Sequence, residues 1–492
     1  MTSVDTRPAA VNSYRVTDWQ RGYESLNTEH SYTIDNIEGE IPADLEGTLF
    51  RNGPGKLDIN GTPLQHPFDG DGMVCAVTFK GGKATFRNRY VRTEGFLAES
   101  AAGKILYRGV FGTQKPGGWL ANLFDLKVKN IANTNVVYWG DRLLALWEAG
   151  LPHALDPATL ETLGTSTVGD ILKPSDAWSA HPRIDPGEAG QDPILVNFSL
   201  KTGLSTEVTV HELDLKGNLI QDKTFNIPGF AFIHDFVITP HYYIFFQNPV
   251  TLNPFPFVLG FRGAGQCIDF KADQPTRVWV MPRGEGKVQT FETASCFVFH
   301  HANAYEDGDT LVIDSICYEN FPTVDPDQNF RDVDFTTLPE GQFWRFRVNL
   351  SAKTVEREVI TTRSSEFPTL NPLNAGRPYQ FVTIGTTHEP TGNAPLQALM
   401  KLDLNSRTQT LWSAAPNGFM GEPLFVAKPQ GTAEDAGWIL SLVYDSAHHR
   451  TDIVILDNQA LEKGPLARLH LTHHVPYGLH GCFVPQIFEA DG

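Results

Sequence analysis

The 492-residue chain is acidic, with a formal net charge of −18, and 41% of its residues are hydrophobic against 20% charged. That balance is typical of a soluble globular protein and argues against binding to a nucleic-acid backbone, which requires clustered Lys and Arg. The five cysteines include no CxxC pair, which argues against a disulfide framework and favours a reducing, cytoplasmic setting. No apolar run is long enough to span a bilayer, and residues 1–29 show no signal-peptide pattern.

Short strand-like runs dominate the chain after a polar beginning. We expect residues 1–30 to form a polar N-terminal arm and residues 31–492 a single domain, because no linker or change in composition divides them. From Gly47 onward the apolar runs alternate with turns rich in Gly, Asn, Asp and Pro, as in 135–148 around Gly140-Asp141. So many successive hairpins exceed one sandwich and predict a β-propeller of about six to eight blades.

One stretch, residues 119–128, has the period of a helix. Lys127 and Lys129 lie at its end, and its apolar residues fall on one face: Trp119, Leu120, Leu123 and Phe124. Such a helix suits shallow insertion into a membrane surface. An amphipathic helix packed against the propeller explains the pattern equally well.

Four histidines far apart in sequence lie in apolar or Gly/Pro-bounded settings: His181, His234, His300 or its neighbour His301, and His480. In a propeller the innermost strand of each blade lines the central axis, so distant residues can meet there. We therefore predict that these imidazoles bind one metal ion, a ligand set that suits Zn, Cu, Fe and Ni. For each histidine taken singly, a structural or surface role is the alternative.

Three glutamates lie in comparably apolar surroundings, where a carboxylate is seldom buried unless it is paired: Glu148, Glu366 and Glu422. Four neutral imidazoles leave the charge of a divalent ion uncompensated. Such a site benefits from anions that accept the distal ring N–H groups and orient the rings. Structural ion pairs are the alternative for these glutamates, and the sequence does not assign a glutamate to each histidine.

Several short motifs surround these residues in a fixed order: RNGPG at 51–55, HPFDGDGM at 66–73, NTN at 133–135, AHP at 180–182, IHDF at 233–236, FHHAN at 299–303, GEP at 421–423 and LHG at 479–481. Together they resemble the carotenoid cleavage oxygenases, and most closely the bacterial apocarotenoid oxygenases that split the central double bond. The resemblance extends from about Glu38 to Val484, which is nearly the whole chain.

The resemblance implies an all-β fold, a seven-bladed β-propeller with a helical or loop cap over one face. It implies ferrous iron, Fe(2+), bound by the four histidines, with the three glutamates behind them, and it favours His300 over His301 as the ligand. It also places Thr134 near the open side of the metal. These are expectations about residues that the sequence alone does not bring together.

The implied reaction is cleavage of an apocarotenoid C=C bond by O2 to retinal-type aldehydes, in a cytoplasmic enzyme associated peripherally with membrane. An alkene plus O2 yields two carbonyls without an external reductant, which agrees with the lack of Rossmann and P-loop motifs. Aromatic faces that could stabilise cationic character, or serve only as packing, are Phe68, Trp147, Phe299 and Tyr318. Alternatives are another polyene or a stilbene as substrate, a non-oxidative retinoid isomerase-hydrolase, or a non-enzymatic propeller scaffold for protein partners, which would bind no metal. No nucleic acid or protein partner is implied.

Overall fold

Seven antiparallel sheets form the blades of a β-propeller in the computed structural model, which describes residues 13–188, 190–323 and 325–489. This arrangement confirms the all-β propeller predicted from the hairpins and the seven blades implied by the resemblance. Residues 1–12 of the expected polar arm lie outside the described residues. The rest of that arm carries a short helix, Val16–Arg21, whose Trp19 is buried against Phe330 and Phe335.

Blades 2 to 6 each contain four strands that follow the chain order from the axis outward. The first strands of neighbouring blades contact one another around the axis. The strands are Asn135–Trp139, Arg142–Leu146, His153–Leu155 and Thr162–Thr165 in blade 2; Arg183–Asp185, Ile194–Thr202, Ser205–Leu213 and Leu219–Pro228 in blade 3; Val237–Ile238, Tyr242–Gln247, Thr276–Pro282 and Gln289–Thr293 in blade 4; Phe297–Asp307, Thr310–Tyr318, Gln342–Asn349 and Thr354–Thr361 in blade 5; and Ser365–Thr369, Phe381–Thr386, Ala398–Asp403 and Gln409–Ser413 in blade 6.

Blades 1 and 7 combine strands from the two ends of the chain. Blade 1 contains Gly481–Val484, Gly47–Lys56, Asp71–Lys80, Lys83–Tyr90 and Ser31–Thr33, in that order across the sheet. Blade 7 contains Gly418–Met420, Leu424–Ala427, Gly437–Asp445, Arg450–Asp457, Pro465–His470 and the early strand Ile37–Gly39. Late residues therefore pair with early ones in both sheets, and this pairing closes the ring of blades.

The turns explain why the strands pair locally. In the hairpin between Asn135–Trp139 and Arg142–Leu146, Gly140 and Asp141 have φ angles of 56° and 58°. Two successive positive φ angles define the turn whose twist matches that of paired strands, and Gly and Asp are residues that tolerate them. This hairpin lies where the sequence predicts it.

The helices Glu94–Ala102, Trp119–Asn122 and Phe255–Val258 all lie in long connections between strands, which we call the cap. The buried Arg108 guanidinium joins two of these connections, because it donates to the carbonyl oxygens of Asp125 at 2.7 Å and Phe257 at 2.8 Å. Two-stranded ribbons, Val250–Leu252 with Ile268–Phe270 and Asp58–Ile59 with Thr62–Pro63, complete the connections. Single 3-10 turns occupy Pro67–Asp69, Gly265–Cys267, Phe330–Asp332, Phe335–Thr337, Pro372–Asn374 and Leu461–Lys463.

The helix predicted over residues 119–128 is wrong in extent. The structure has one turn, Trp119–Asn122, after which Leu123 is extended and Phe124 adopts a φ of 58°. The Phe124 N–H pairs with the Val258 carbonyl at 2.9 Å, so tertiary contacts override the helical period. None of the helices in the described ranges is long and apolar enough to cross a bilayer.

Candidate metal centre

The imidazoles of four histidines meet on the propeller axis: His181, His234, His300 and His480. One nitrogen from each ring lies within 4.8 Å of the others, and the Nε2 atoms of His181 and His234 are 2.8 Å apart. Within the described ranges, no second group of three or more His, Cys, Asp or Glu side chains is placed to hold an ion. The four histidines proposed from the sequence are thus the ones that the fold brings together.

Each histidine is held at or beside an innermost strand. His181 and His234 lie just before the strands Arg183–Asp185 and Val237–Ile238, and His480 lies just before Gly481–Val484. The fourth, His300, lies inside Phe297–Asp307. Because the inner strands surround the axis, four distant chain segments deliver their rings to one point.

A bulge separates the two consecutive histidines of blade 5. The pairing register of the strand shifts between Val298 and His301, so the ladder is interrupted at His300. His300 faces the axis, whereas His301 is buried between strands with its Nδ1 2.7 Å from Ser315 Oγ. Successive strand residues point to opposite faces, which explains why only one of the pair joins the group.

Three glutamates accept hydrogen bonds from the outer nitrogens of these rings. Nδ1 of His234 donates to Glu148 at 2.5 Å, Nδ1 of His300 to Glu366 at 2.5 Å and Nδ1 of His480 to Glu422 at 2.7 Å. The structure thereby assigns the pairs that the sequence left open. A proton held on Nδ1 leaves the Nε2 lone pair unprotonated and directed inward, as a metal ligand requires.

Burial and repulsion between the rings lower the pKa of two of the four imidazoles, which favours the neutral form that a metal ion needs. Burial, then the neighbouring His234, His480 and His300 rings, holds the pKa of His181 well below its usual value. Burial also lowers the pKa of His480, although Glu422 opposes it. Burial disfavours the charged form of His300 too, but Glu366 outweighs it and raises its pKa.

The donor set fits a metal ion. Nε2 of His300 is buried and has no hydrogen-bond partner among the described residues. An unpaired buried polar atom is costly and calls for a partner. An ion bound by the four Nε2 atoms would supply that partner, and the three carboxylates would balance its charge.

Among the other predicted residues, Thr134, Phe299 and Tyr318 lie next to the centre. The Thr134 carbonyl accepts the His480 N–H at 3.1 Å, and the Phe299 ring centroid is 5.5 Å from that of His234. The Tyr318 hydroxyl donates to Glu366 at 2.6 Å, so its polar end faces a carboxylate.

Phe68 and Trp147 show no ring contact with the four histidines in the part of the chain that the structure describes. Phe68 packs instead against His66 and Phe111, and Trp147 is buried in the core. Phe68 is partly exposed, at 36%, so only Trp147 has the burial of a core residue. Their assignment to the substrate pocket stays a prediction.

Sequence reasoning missed Phe367, whose ring lies 5.5 Å from His300 and 5.4 Å from His480 between centroids. Its φ of 58° is unusual for a bulky residue, and its N–H donates to Glu366 at 2.8 Å. A strained backbone next to a polar centre often marks a functional site. Nothing in the sequence signals this conformation, since a residue before proline normally prefers extended backbone.

Comparison with known proteins gives concordant matches. The retinal pigment epithelial membrane protein (RPE65) family matches residues 23–485. The chain is 52% identical over 486 residues to apocarotenoid-15,15'-oxygenase of Synechocystis sp., covering 98% of this chain and 99% of the relative. It is 30% identical over 467 residues to lignostilbene-alpha,beta-dioxygenase isozyme III of Sphingomonas paucimobilis, covering 90% and 92%.

A solved structure agrees with both. The crystal structure of cobalt-substituted Synechocystis apocarotenoid oxygenase superposes with a TM-score of 0.95 at 52% identity, covering 96% of this chain and 99% of that one. Fold, extent and sequence thus agree over nearly the whole length. The chain therefore belongs to the RPE65 family of carotenoid oxygenases.

Proposed function

We propose that this protein is a non-haem Fe(II) dioxygenase that cleaves a C=C bond of apocarotenoids with O2, at the central double bond, to give retinal-type aldehydes. The observation that carries the proposal is the convergence of four imidazoles on one point. The 52% identity to an apocarotenoid-15,15'-oxygenase supports the substrate class.

Among the metals that imidazoles bind, we favour iron because the proposed cleavage consumes O2. Zinc has no redox chemistry, whereas iron, when bound by the four histidines, supplies activation of O2. The cobalt-substituted relative supports a site that accepts a divalent first-row ion. Cleavage of an alkene by O2 into two carbonyl compounds balances in electrons, so no reductant site is needed.

The chain's own residues hold and shield the reacting centre. Glu148, Glu366 and Glu422 keep the protons on the outer ring nitrogens and so preserve the inner lone pairs. Beside His234 and His300, an apolar group provides contacts for a polyene and excludes water: Phe232, Phe297, Phe299 and Phe321. The Thr134 backbone is fixed by its hydrogen bond to His480, and its side chain limits access of ligands to the open side of the metal.

A product panel tests the proposal. Purified protein reconstituted anaerobically with Fe(II) should convert an apocarotenal to two aldehydes on admission of O2, with chromatography as readout. Turnover of a hydroxystilbene but no apocarotenal would support the stilbene alternative, which the 30% identity to a lignostilbene dioxygenase makes the second candidate. Hydrolysis of a retinyl ester without incorporation of labelled O2 would instead indicate an isomerase-hydrolase.

We propose further that the enzyme contacts membrane surfaces through an apolar patch on the cap: Trp119, Leu120, Phe124, Phe255 and Phe261. Leu120 is 67% exposed and Phe124 70%, and the Trp119 and Phe261 rings lie 5.7 Å apart between centroids. Apolar substrates partition into lipid, so a protein that collects them benefits from shallow insertion. Leu123, predicted for the same patch, is half-buried. Cytoplasmic location with peripheral attachment is part of this proposal.

Replacing Leu120 and Phe124 together by Asp should weaken liposome co-sedimentation about tenfold or more, because two apolar side chains no longer enter the lipid. Metal content should stay the same. Leu204→Asp with Leu373→Asp is the matched control, since both leucines are highly exposed but lie outside the patch. Equal sedimentation of the patch variant and the control would contradict the membrane proposal.

A further inference from the structure

The three glutamates behind the metal centre have unequal partners. The second oxygen of Glu422 forms an ion pair with Arg51, whose other nitrogen donates to the Leu479 carbonyl at 2.9 Å. One oxygen of Glu366 accepts from the Tyr318 hydroxyl at 2.6 Å. Glu148 has no donor besides His234 among the residues that the structure describes, and its side chain is 27% exposed.

These partners set how much charge each glutamate offers its histidine. A carboxylate that accepts a ring N–H raises the basicity of that imidazole as a ligand. A cation on the other oxygen withdraws charge and weakens this effect, and a phenol does so to a smaller degree. The resulting order of donor strength is His234, then His300, then His480.

We propose that Tyr318 and Arg51 are positioning residues that grade the metal's ligands, which means that they give His300 and His480 different donor strengths. Each acts by withdrawing charge from the glutamate that accepts the ring N–H of that histidine. The inference rests on the proposed metal site. Both residues are buried, and among the described residues neither makes a hydrogen bond to the four histidines themselves. In both cases the residue donates to the carboxylate oxygen that the histidine does not use, and this hydrogen bond withdraws charge from the imidazole.

Tyr318→Phe isolates this effect because it removes only the hydroxyl oxygen. Without the Tyr318 hydroxyl, Glu366 keeps only the His300 ring N–H and the Phe367 backbone N–H as donors, so His300 becomes the stronger donor and stabilises the oxidised metal. We expect the Fe(III)/Fe(II) midpoint potential to fall, the visible bands of the Co(II)-loaded protein to shift to higher energy, and Co(II) to bind about threefold tighter. A purely structural role predicts the reverse, since loss of an outer partner typically weakens metal binding about 10- to 100-fold.

The matched control is Tyr379→Phe. Tyr379 has the same low exposure, and its hydroxyl donates to the Asp314 carboxylate at 2.6 Å, away from the four histidines. This variant should leave the potential and the Co(II) spectrum unchanged. Arg51→Met should shift both in the same direction as Tyr318→Phe and further, and Arg51→Lys should restore most of the wild-type values.

The outcomes separate the two proposals. A wild-type protein that takes up no stoichiometric metal contradicts the proposed function itself. If the wild-type protein binds metal but Tyr318→Phe leaves the potential unchanged, raises it or loses the metal, only the grading of the ligands is overturned. Should Arg51→Met fail to fold, Tyr318→Phe with its control still decides the question.

Discussion

Replacing His300 with alanine should abolish metal binding and lower the cleavage rate about a thousandfold or more. One of four imidazoles is lost, and the barrier reduction of several kcal/mol that a bound metal supplies goes with it. The change also strips Glu366 of its ring N–H donor. Metal content by elemental analysis and aldehyde formation by chromatography measure the two effects separately.

His301→Ala is the control from the same strand. Its ring bonds Ser315 and not the four-histidine group, so this variant should lose stability yet retain stoichiometric metal. The comparison tests whether the bulge at His300 selects the ligand. Retention of metal by His300→Ala together with its loss from His301→Ala would reverse the assignment.

Lys129→Met should lower the free energy of unfolding by about 3–5 kcal/mol, because it leaves buried carboxylates uncompensated. Lys129 is buried, with Nζ 2.9 Å from Asp71 Oδ1 and 2.6 Å from Glu99 Oε2. Urea denaturation at neutral pH measures the loss. Burial raises the pKa of Asp71 even with Lys129 present, so the folded protein favours the protonated Asp71 more than the unfolded chain does. The stability that protonated Asp71 contributes is lost as the pH rises through that raised pKa. The deficit of the variant should therefore shrink as the pH is lowered.

Lys127→Met provides the comparison two residues away. Lys127 is 65% exposed and lies 3.6 Å from an exposed Glu94, so its removal should change stability by no more than about 0.5 kcal/mol. A deficit for Lys129→Met as small as that for Lys127→Met would show that the buried cluster contributes little.

The four histidines that meet at the axis could be recognised in the sequence because each interrupts or ends a run with strand character. The glutamates were recognisable for a similar reason, as carboxylates in apolar surroundings. Their pairing was not, since Glu148 of blade 2 bonds His234 at the start of blade 4, and only the closed ring defines that contact. Arg51 and Phe367 likewise lie beside the centre only because the closed ring brings distant segments together.

The cap was the least predictable part. The helical period over residues 119–128 is real in the sequence, yet the chain turns at Phe124, because the Val258 carbonyl accepts the Phe124 N–H and Arg108 donates to the Asp125 carbonyl. Lys129 is a second example. Its position at the end of the predicted helix suggested a cation facing a membrane, but it is buried against Asp71 and Glu99, which gives it a structural role. Contacts between distant segments, invisible in a local pattern, decided both outcomes.

The mixed strands of blades 1 and 7 have a consequence for biosynthesis. While the ribosome has delivered only residues up to 479, the nascent polypeptide lacks both the fourth imidazole and the strand Gly481–Val484 that pairs with Gly47–Lys56. Three of the four imidazoles and all three carboxylates are by then available, but His480 is not. Under the proposed function, metal binding at the complete site is therefore a late, essentially post-translational event, and a product terminated before His480 would have an incomplete group of histidines.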